Sequence, residues 1–142
     1  MNLIIPPKKK KKQKAYDELY LWPVFSEYIR LRDSNDQGYA TCFTCGLVRH
    51  WKQGDCGHGI PRQHKATKYS EINNNFQCKK CNGFEGGVRE VYKENIDAKY
   101  GPGTWDKLQV ASRQVCKAGK YEYDVMIEFY KKKVAELKSK KK

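Results

Sequence analysis

The stretch that decides the fold is CFTCGLVRHWKQGDCGHGIPRQHKATKYSEINNNFQCKKCN, which spans residues 42–82. It contains two Cys-x-x-Cys pairs, Cys42 with Cys45 and Cys78 with Cys81. Two such pairs can close one tetrahedral Zn²⁺ site through four thiolates. Because aliphatic residues are sparse between the pairs, the segment has little apolar surface to bury and needs a metal to hold its shape. The sequence therefore predicts a structural zinc ion bound by the four cysteines.

A second set of zinc ligands competes with the first. Cys42 and Cys45 can combine with Cys56 and His58, but this set leaves the second Cys-x-x-Cys pair without a role and is the weaker alternative. The apolar stretch at residues 2–7 is too short for a signal peptide. We therefore expect an unexported chain, in which cysteines serve metal binding or remain free thiols rather than forming disulfides.

Four polar residues in the same stretch can carry chemistry: His58, Asp55, Asn73 and Asn82. Metal-assisted hydrolysis of a phosphodiester needs a base to take a proton from water. It also needs a divalent ion to stabilise the charge on the phosphate and the leaving oxygen. A further group has to hold the base in the correct tautomer. One imidazole, one carboxylate and two amides can supply these roles together, although each residue alone is more often structural.

The formal net charge of +13 over 142 residues is concentrated at the two ends of the chain. Six lysines lie between Lys8 and Lys14, and seven more follow from Lys131 onward. The chain between these runs is close to neutral, apart from a basic segment at residues 42–89. Basic arms of this kind bind polyanions by releasing counterions from a phosphate backbone. The alternative is a pair of solvated tails that bind nothing.

Hydrophobic periodicity predicts an α+β fold with helices before and after the cysteine stretch. Apolar residues recur at helical spacing over residues 15–32, where Pro23 is expected in the first turn of the main helix. Further helices are expected over residues 88–100, from Thr104, from about Tyr121, and briefly from the second cysteine pair. Short strands are expected at residues 47–51 and 56–60.

This pattern predicts one domain with basic ends. The expected parts are a disordered basic arm at 1–14, a single domain at 15–130 with its core at 39–90 and helical flanks at 15–33 and 88–130, and a basic tail at 131–142 that extends the last helix. No apolar run approaches the roughly 20 residues that span a membrane. No membrane association is therefore expected, and the expected location is the cytoplasm.

The cysteine stretch resembles the pattern of HNH (ββα-metal) endonucleases. The matching features are Asp-x-Gly-His at 55–58, Asn73 ahead of the second cysteine pair, and Gln-Cys-x-x-Cys-Asn at 77–82. More narrowly, the chain is similar to the phage NinG/Rap recombination endonucleases from about residue 16 to about residue 113. The motifs that carry this similarity are LWPVFS at 21–26, C-x-x-C-G at 42–46, D-x-G-H-x-x-x-R at 55–62 and Q-C-K-x-C-N at 77–82.

The resemblance implies a metal-dependent DNA endonuclease that selects branched recombination intermediates, such as Holliday junctions and D-loops, in the host-cell cytoplasm. It implies a small zinc-held HNH-like module packed among several helices, with Mg²⁺ or Mn²⁺ as the catalytic ion. By carry-over, His58 is the general base, and Asn73 orients His58 or braces its loop. Asn82 and Asp55 would bind the divalent ion. The residues expected to contact DNA phosphates are Arg62, Lys65, Lys79, Lys80 and Arg89.

One departure from the HNH pattern leaves an alternative open. Many HNH enzymes place an acid or a histidine directly before the base, whereas this chain has Gly57 there. His58 can therefore be either the base or itself a ligand of the ion.

Two other interpretations share the cysteines. One is a non-catalytic zinc-ribbon protein that binds DNA or assists recombination, and the other is a zinc-stabilised module for a protein partner. Because resolution of a junction needs two nicks, a homodimer is compatible with this function and the last helix is a candidate seam, although no clean heptad specifies it. Other recombination proteins are candidate partners.

Overall fold

The computed structural model describes residues 3–10, 12–84, 86 and 88–142, in which helices alternate with short antiparallel strands. The helices are α1 (Tyr16–Tyr20), α2 (Trp22–Arg32), α3 (Lys65–Lys68), α4 (Arg89–Tyr100), α5 (Thr104–Ser112) and α6 (Lys120–Ser139). The strands are β1 (Tyr39–Thr41), β2 (Val48–His50), β3 (Gly54–His58) and β4 (Asn74–Cys78). The predicted α+β class is confirmed.

Within the described residues the strands form two separate antiparallel pairs, β1 with β2 and β3 with β4. In the β3–β4 pair, Gly54 lies opposite Cys78 and His58 lies opposite Asn74. Strands rise by about 3.3 Å per residue, so the four residue steps between these two positions span roughly 13 Å. One pair of strands therefore carries a cysteine of the predicted zinc site at one end and the predicted base at the other.

Helices α2 and α6 form one apolar core beneath β3. Its buried members are Leu21, Phe25, Ile29, Cys56, Ile127 and Tyr130. The rings of Phe25 and Tyr130 meet edge to face with their centroids 5.0 Å apart, an arrangement that aromatic rings favour. Because Cys56 belongs to β3, the strand pair rests directly on these two helices.

Helices α4 and α5 form a second apolar core with the segment that follows β3. Its buried members are Ile60, Tyr92, Ile96, Trp105 and Leu108. Gly59 is required here, since an added Cβ would lie 2.6 Å from the ring of Trp105. The Tyr92 hydroxyl lies 3.2 Å from the carbonyl oxygen of Gly57 and 2.9 Å from that of Asn73. Helix α4 is thereby fixed to the strand pair beside His58.

A buried ion pair fixes the segment between β3 and β4 to the first helix. The Lys68 ammonium group contacts the carboxylates of Asp17 and Glu18, and Asp17 also accepts a hydrogen bond from the Tyr69 hydroxyl. Lys68 and Asp17 are each only 5% exposed. Removing Lys68 would leave the buried Asp17 carboxylate without its ion-pair partner, so the pair holds the segment in one position.

The basic ends of the chain differ from each other. At the N-terminal end, residues 3–10 and 12–14 are exposed and form no helix or strand, while residues 1, 2 and 11 of the predicted arm lie outside the described residues. At the C-terminal end, α6 continues to Ser139. Lys141 Nζ then lies 3.1 Å from the carbonyl oxygen of Ser34, and Lys138 pairs with Glu27 at 2.6 Å. Some of the tail lysines therefore stabilise the fold itself.

Several element boundaries differ from the prediction. The helical stretch at residues 15–32 is broken at Leu21, and α2 starts with Pro23 in its first turn. Strand β3 begins at Gly54, two residues earlier than expected. As predicted, the second cysteine pair opens a short helix, a π-helical turn at Lys80–Phe84, before α4 begins at Arg89. Residues 85 and 87 of the predicted core lie outside the described residues.

No helix among the described residues has both the length and the apolar character needed to cross a membrane.

Candidate metal centre and histidine cleft

The four cysteines of the two Cys-x-x-Cys pairs come together in one cluster. Their sulfur atoms all lie within 4.8 Å of one another, and Sγ of Cys45 is 3.7 Å from Sγ of Cys78. A tetrahedral zinc ion with bonds of about 2.3 Å separates its sulfur ligands by about 3.8 Å, so the cluster has the size that zinc needs. Within the described residues, it is the one group of three or more histidine, cysteine and acidic side chains with this geometry.

The turn that carries Cys42 and Cys45 depends on the glycine that follows it. The Gly46 N–H donates to the Cys42 carbonyl at 3.0 Å, and the Cys42 N–H donates to the Leu47 carbonyl at 2.8 Å. Gly46 adopts φ +78°, a left-handed conformation that favours glycine. Cys78 is positioned by the end of β4, and Val88 packs against the buried sulfurs.

Hydrogen bonds favour one thiolate in the cluster. Burial alone would raise the pKa of Cys42, but N–H groups of Cys78, Cys45 and Thr44 together with the Thr44 hydroxyl lower it to about 6. The Thr44 oxygen accepts a hydrogen bond from Gln77 Nε2 at 3.1 Å, which leaves its hydroxyl proton for the Cys42 sulfur 3.5 Å away. Burial instead raises the pKa of Cys81 to about 12. A bound cation would stabilise the thiolate form of all four cysteines.

The alternative zinc site through Cys56 and His58 is not assembled. Cys56 is buried between α2 and α6, and its thiol lies 3.7 Å from Asn74 Oδ1. Burial raises the pKa of Cys56 to about 12, so this thiol stays protonated. His58 likewise lies outside the cysteine cluster, which leaves its imidazole available for other chemistry.

His58 ends β3 and opens onto a polar cleft of about 180 Å³. The cleft is lined by His58, Gly59, Pro61, Asn82, Gly86 and Arg89. Burial lowers the pKa of His58 to about 4, and the positive charges of Arg62 and Arg89 act in the same direction. The imidazole is therefore neutral near pH 7. Its Nδ1 atom is buried without a hydrogen-bond partner among the described residues, which is costly unless a bound group satisfies it.

Asn82 connects this cleft to Asp55. The Asn82 amide group donates to Asp55 Oδ2 at 3.1 Å, and Asp55 Oδ1 pairs with Lys79 at 2.8 Å. Asn82 lines the cleft, and its amide oxygen remains an acceptor because the bond to Asp55 uses its NH₂ group. Asp55 itself does not line the cleft, since alternate residues of a strand face opposite sides. The structure therefore brings His58 and Asn82 together and links Asp55 to them indirectly.

Asn73 braces the loop after His58. Its side chain accepts from the Ile60 N–H at 2.7 Å and donates to the carbonyl oxygens of Ile60 at 3.1 Å and Thr67 at 3.3 Å. None of these bonds involves the imidazole of His58. Of the two roles that the resemblance offered for Asn73, bracing is the one that its contacts fit. Asn73 is in this respect a positioning residue rather than one that touches the cleft.

Sequence reasoning did not single out the next two asparagines. Asn74 donates to the carbonyl oxygens of Lys68 and Ser70, and Asn75 donates to Ile72 and to the Tyr92 hydroxyl. All three asparagines are fully buried. Three consecutive buried amides therefore fix the segment between β3 and β4, the start of β4, and α4 relative to one another. The unusual Asn-Asn-Asn run was the sequence signal that could have revealed this role.

The residues predicted to contact DNA have different surroundings. Arg89 is exposed and lines the cleft. Arg62 pairs with Glu18 and lies over the Trp22 ring at 3.7 Å, and Lys79 pairs with Asp55. Lys65 is exposed on α3, and Lys80 is exposed beside the cysteine cluster. Arg89 is therefore the best placed of these residues to meet a phosphate beside His58.

The absence of a side chain at Gly57 has a steric cause. An added Cβ would lie 1.9 Å from Gln77 Oε1, because the Gln77 side chain crosses β3 at this point. An acid or a histidine directly before His58 cannot fit without displacing Gln77. Since Gln77 also holds Thr44 beside Cys42, this glycine connects the packing of the cleft to that of the cysteine cluster.

Replacing Gly57 with alanine is therefore expected to destabilise the protein by about 1–3 kcal/mol, the usual cost of overpacking a buried site. Urea unfolding of the zinc-loaded protein measures this free energy. Gly83→Ala is the matched control, because nothing lies within 4 Å of an added Cβ there. Equal unfolding free energies for the two variants would contradict the assigned role of Gly57.

The fold and the site define a class of small α+β protein in which one strand pair joins a four-cysteine candidate metal centre to a histidine cleft. The family model described as Bacteriophage Lambda NinG protein matches residues 6–141. Because this match covers nearly the whole chain, the chain belongs to that family, and the resemblance seen in the motifs is confirmed. Searches of curated proteins and of solved structures found no significant match.

Proposed function

We propose that this protein is a metal-dependent DNA endonuclease of the HNH type that acts on branched intermediates of phage recombination. The observation that carries the proposal is His58, a neutral imidazole with an unsatisfied Nδ1, in a cleft that it shares with Asn82 and Arg89. The lining of this cleft includes no acidic side chain among the described residues. Membership of the NinG family supports the recombination role.

In the proposed reaction His58 takes the proton from the attacking water. Its low pKa keeps it unprotonated at neutral pH, and its Nδ1 atom has no hydrogen-bond partner within the described part of the chain. Arg89 orients the phosphate through its guanidinium group, and Asn73 keeps the loop after His58 in place.

The oxygen atoms of Asn82 and Asp55 fit a divalent ion such as Mg²⁺ or Mn²⁺, which prefers oxygen ligands. Such an ion stabilises negative charge on the phosphate and on the leaving oxygen. Asp55 would have to exchange Lys79 for the ion, since the two are paired. The cysteine cluster would hold a separate structural zinc ion.

Cleavage of matched linear, forked and four-way DNA by the purified protein tests the proposal. With Mg²⁺ present, we expect the branched substrates to be cut faster than the linear one. Omission of Mg²⁺ should stop cleavage while the zinc content of the protein stays the same. Zinc-loaded protein that binds four-way DNA but leaves it intact with either Mg²⁺ or Mn²⁺ would contradict the assignment.

A non-catalytic DNA-binding accessory protein is the second candidate. The ion pair between Asp55 and Lys79 favours it, because the carboxylate is already neutralised. So does the lack, among the described residues, of a second cluster of histidine, cysteine and acidic side chains. This candidate predicts binding to DNA without cleavage.

A homodimer remains a prediction of the proposed junction cleavage. Tyr121, Val125 and Phe129 lie at four-residue spacing on α6 and are exposed by 78%, 55% and 49%. This stripe supports α6 as a contact surface, either for a second copy or for another recombination protein. Sedimentation of the protein with and without four-way DNA would distinguish these assemblies.

A further inference from the structure

A second cavity of about 290 Å³ lies next to the His58 cleft, between the segment that follows β3 and helix α5. We call it the α5 groove. Its polar lining includes Gln63, His64, Arg89, Gln109 and Arg113. Gln63, His64, Gln109 and Arg113 were not among the residues that the sequence pointed to.

The α5 groove adjoins the His58 cleft. Gly59, Pro61 and Arg89 line both cavities. The wall between them is rigid, since Gly59 packs against the ring of Trp105 and donates its N–H to the Asn73 carbonyl at 3.0 Å. A long ligand bound in the His58 cleft would therefore lie next to the α5 groove.

The groove has the chemistry of a phosphate-binding surface. Its described lining has no aspartate or glutamate, whereas the cavity between α1 and α6 contains Asp124 and Glu128. Arg89 and Arg113 are exposed, and neither guanidinium group has a hydrogen-bond or ion-pair partner among the described residues. Two amides, Gln63 and Gln109, lie in the same groove and offer both donors and acceptors.

We propose that the α5 groove binds the sugar-phosphate backbone of the DNA strand adjacent to the bond that is cut. This inference rests on the proposed function and extends it to the path of the substrate. Arg113 contacts a phosphate beyond the scissile one, and Arg89 lies between the two cavities and contacts the backbone as it passes from one to the other. Gln63 and Gln109 bind the intervening sugar and phosphate oxygens. These contacts position the strand and carry no base sequence information.

Arg113→Ala tests the groove. We expect KM for four-way DNA to rise about tenfold with kcat unchanged, because a backbone contact made equally in the ground and transition states affects binding alone. The salt dependence of DNA binding should weaken by about one phosphate contact. Arg49→Ala is the matched control, because Arg49 is an exposed arginine on β2 that donates only to the neighbouring Val48 carbonyl among the described residues.

Because Arg113 directly follows the last residue of α5, Arg113→Ala could weaken DNA binding by disturbing the end of the helix. A second variant in the groove distinguishes this structural effect from the loss of a phosphate contact. Gln109→Glu places a negative charge in the acid-free groove and should weaken binding strongly. Gln114→Glu makes the same change at an exposed position outside the groove lining. Both should match the wild-type zinc content and melting temperature.

The outcomes separate this inference from the proposed function. If the wild type cuts DNA but Arg113→Ala and Gln109→Glu match their controls in KM and binding, the groove assignment is wrong while the endonuclease stands. If the wild type does not cut DNA, titration of a labelled four-way junction still measures binding. Loss of binding in the groove variants alone would then support the groove, and equal binding in all variants would overturn it.

Discussion

Replacing Cys78 with serine is expected to abolish stoichiometric zinc binding and to unfold the β3–β4 pair. Cys78 is the last residue of β4, and its sulfur is 3.7 Å from that of Cys45. The apolar contacts around the cluster are few, with Val88 the partly buried residue packed against it. Structural zinc sites contribute an apparent 10–16 kcal/mol in small zinc-dependent domains, so the loss of one thiolate should exceed what the local packing can replace.

Zinc content by elemental analysis and amide NMR spectra would measure this effect. Cys116→Ser is the matched control, because Cys116 lies outside the cluster and is only partly buried. The control should retain one zinc ion per chain and the wild-type spectrum. A Cys78→Ser protein with native amide shifts across β3 and β4 would show that the cluster does not hold this part of the fold.

The second large effect is expected for His58→Ala, which should lower kcat for junction cleavage by about 10³-fold, the typical contribution of a general base. DNA affinity and zinc content should stay unchanged, because His58 is outside the cysteine cluster and His58 Nδ1 bonds to no other described group. His50→Ala is the control, since this imidazole belongs to the β1–β2 pair. Wild-type nicking by the His58 variant would exclude His58 as the base.

The pH profile provides an independent check on His58. An imidazole with the ordinary pKa of about 6.5 is mostly protonated at pH 5.5 and would lose about tenfold in activity as a base. With the pKa of His58 lowered to about 4 by burial, the neutral form persists, so kcat/KM should stay level from pH 7.5 down to 5.5. The same shift lowers folding stability as pH falls from about 6.5 towards 4, because the unfolded chain binds the proton first.

The sequence predicted the parts of this site that depend on local spacing. The two Cys-x-x-Cys pairs converge because one turn positions Cys42 and Cys45, while the end of β4 and the helical turn after it position Cys78 and Cys81. Such short-range geometry can be inferred from residue order. His58 and Asn82 line the same cleft for a related reason. His58 ends the Asp-x-Gly-His motif, and Asn82 directly follows the second Cys-x-x-Cys pair. Family motifs captured both relations.

Long-range partners could not be predicted from spacing. Arg62 looked like a free phosphate ligand, yet the fold brings it to Glu18, which precedes it by more than forty residues and sits on α1. Lys141 looked like part of a DNA-binding tail, yet it lies against carbonyl oxygens at the end of α2. Charge patterns show how many cations a chain carries, whereas tertiary packing decides which of them remain free.

The role of Asn73 was only partly predictable. The resemblance offered two roles, and the choice depended on which backbone groups the amide reaches in the folded chain. Asn74 and Asn75 carried no motif at all, although their burial makes them equally constrained. Buried amides act on whatever backbone lies beside them, and sequence order does not show this.

The antiparallel register of β3 on β4 has one more consequence. Side chains alternate between the two faces of a strand. A shift of the register by one residue would therefore turn Cys78 away from the other three cysteines, and it would also turn the His58 imidazole out of its cleft. The cysteine cluster and the His58 cleft therefore depend on the same strand pair. An interaction that fixes Cys78 at one end of the pair also fixes the orientation of the His58 imidazole at the other. Loss of a metal from the cysteine cluster would on this account displace the His58 imidazole without any ligand reaching it.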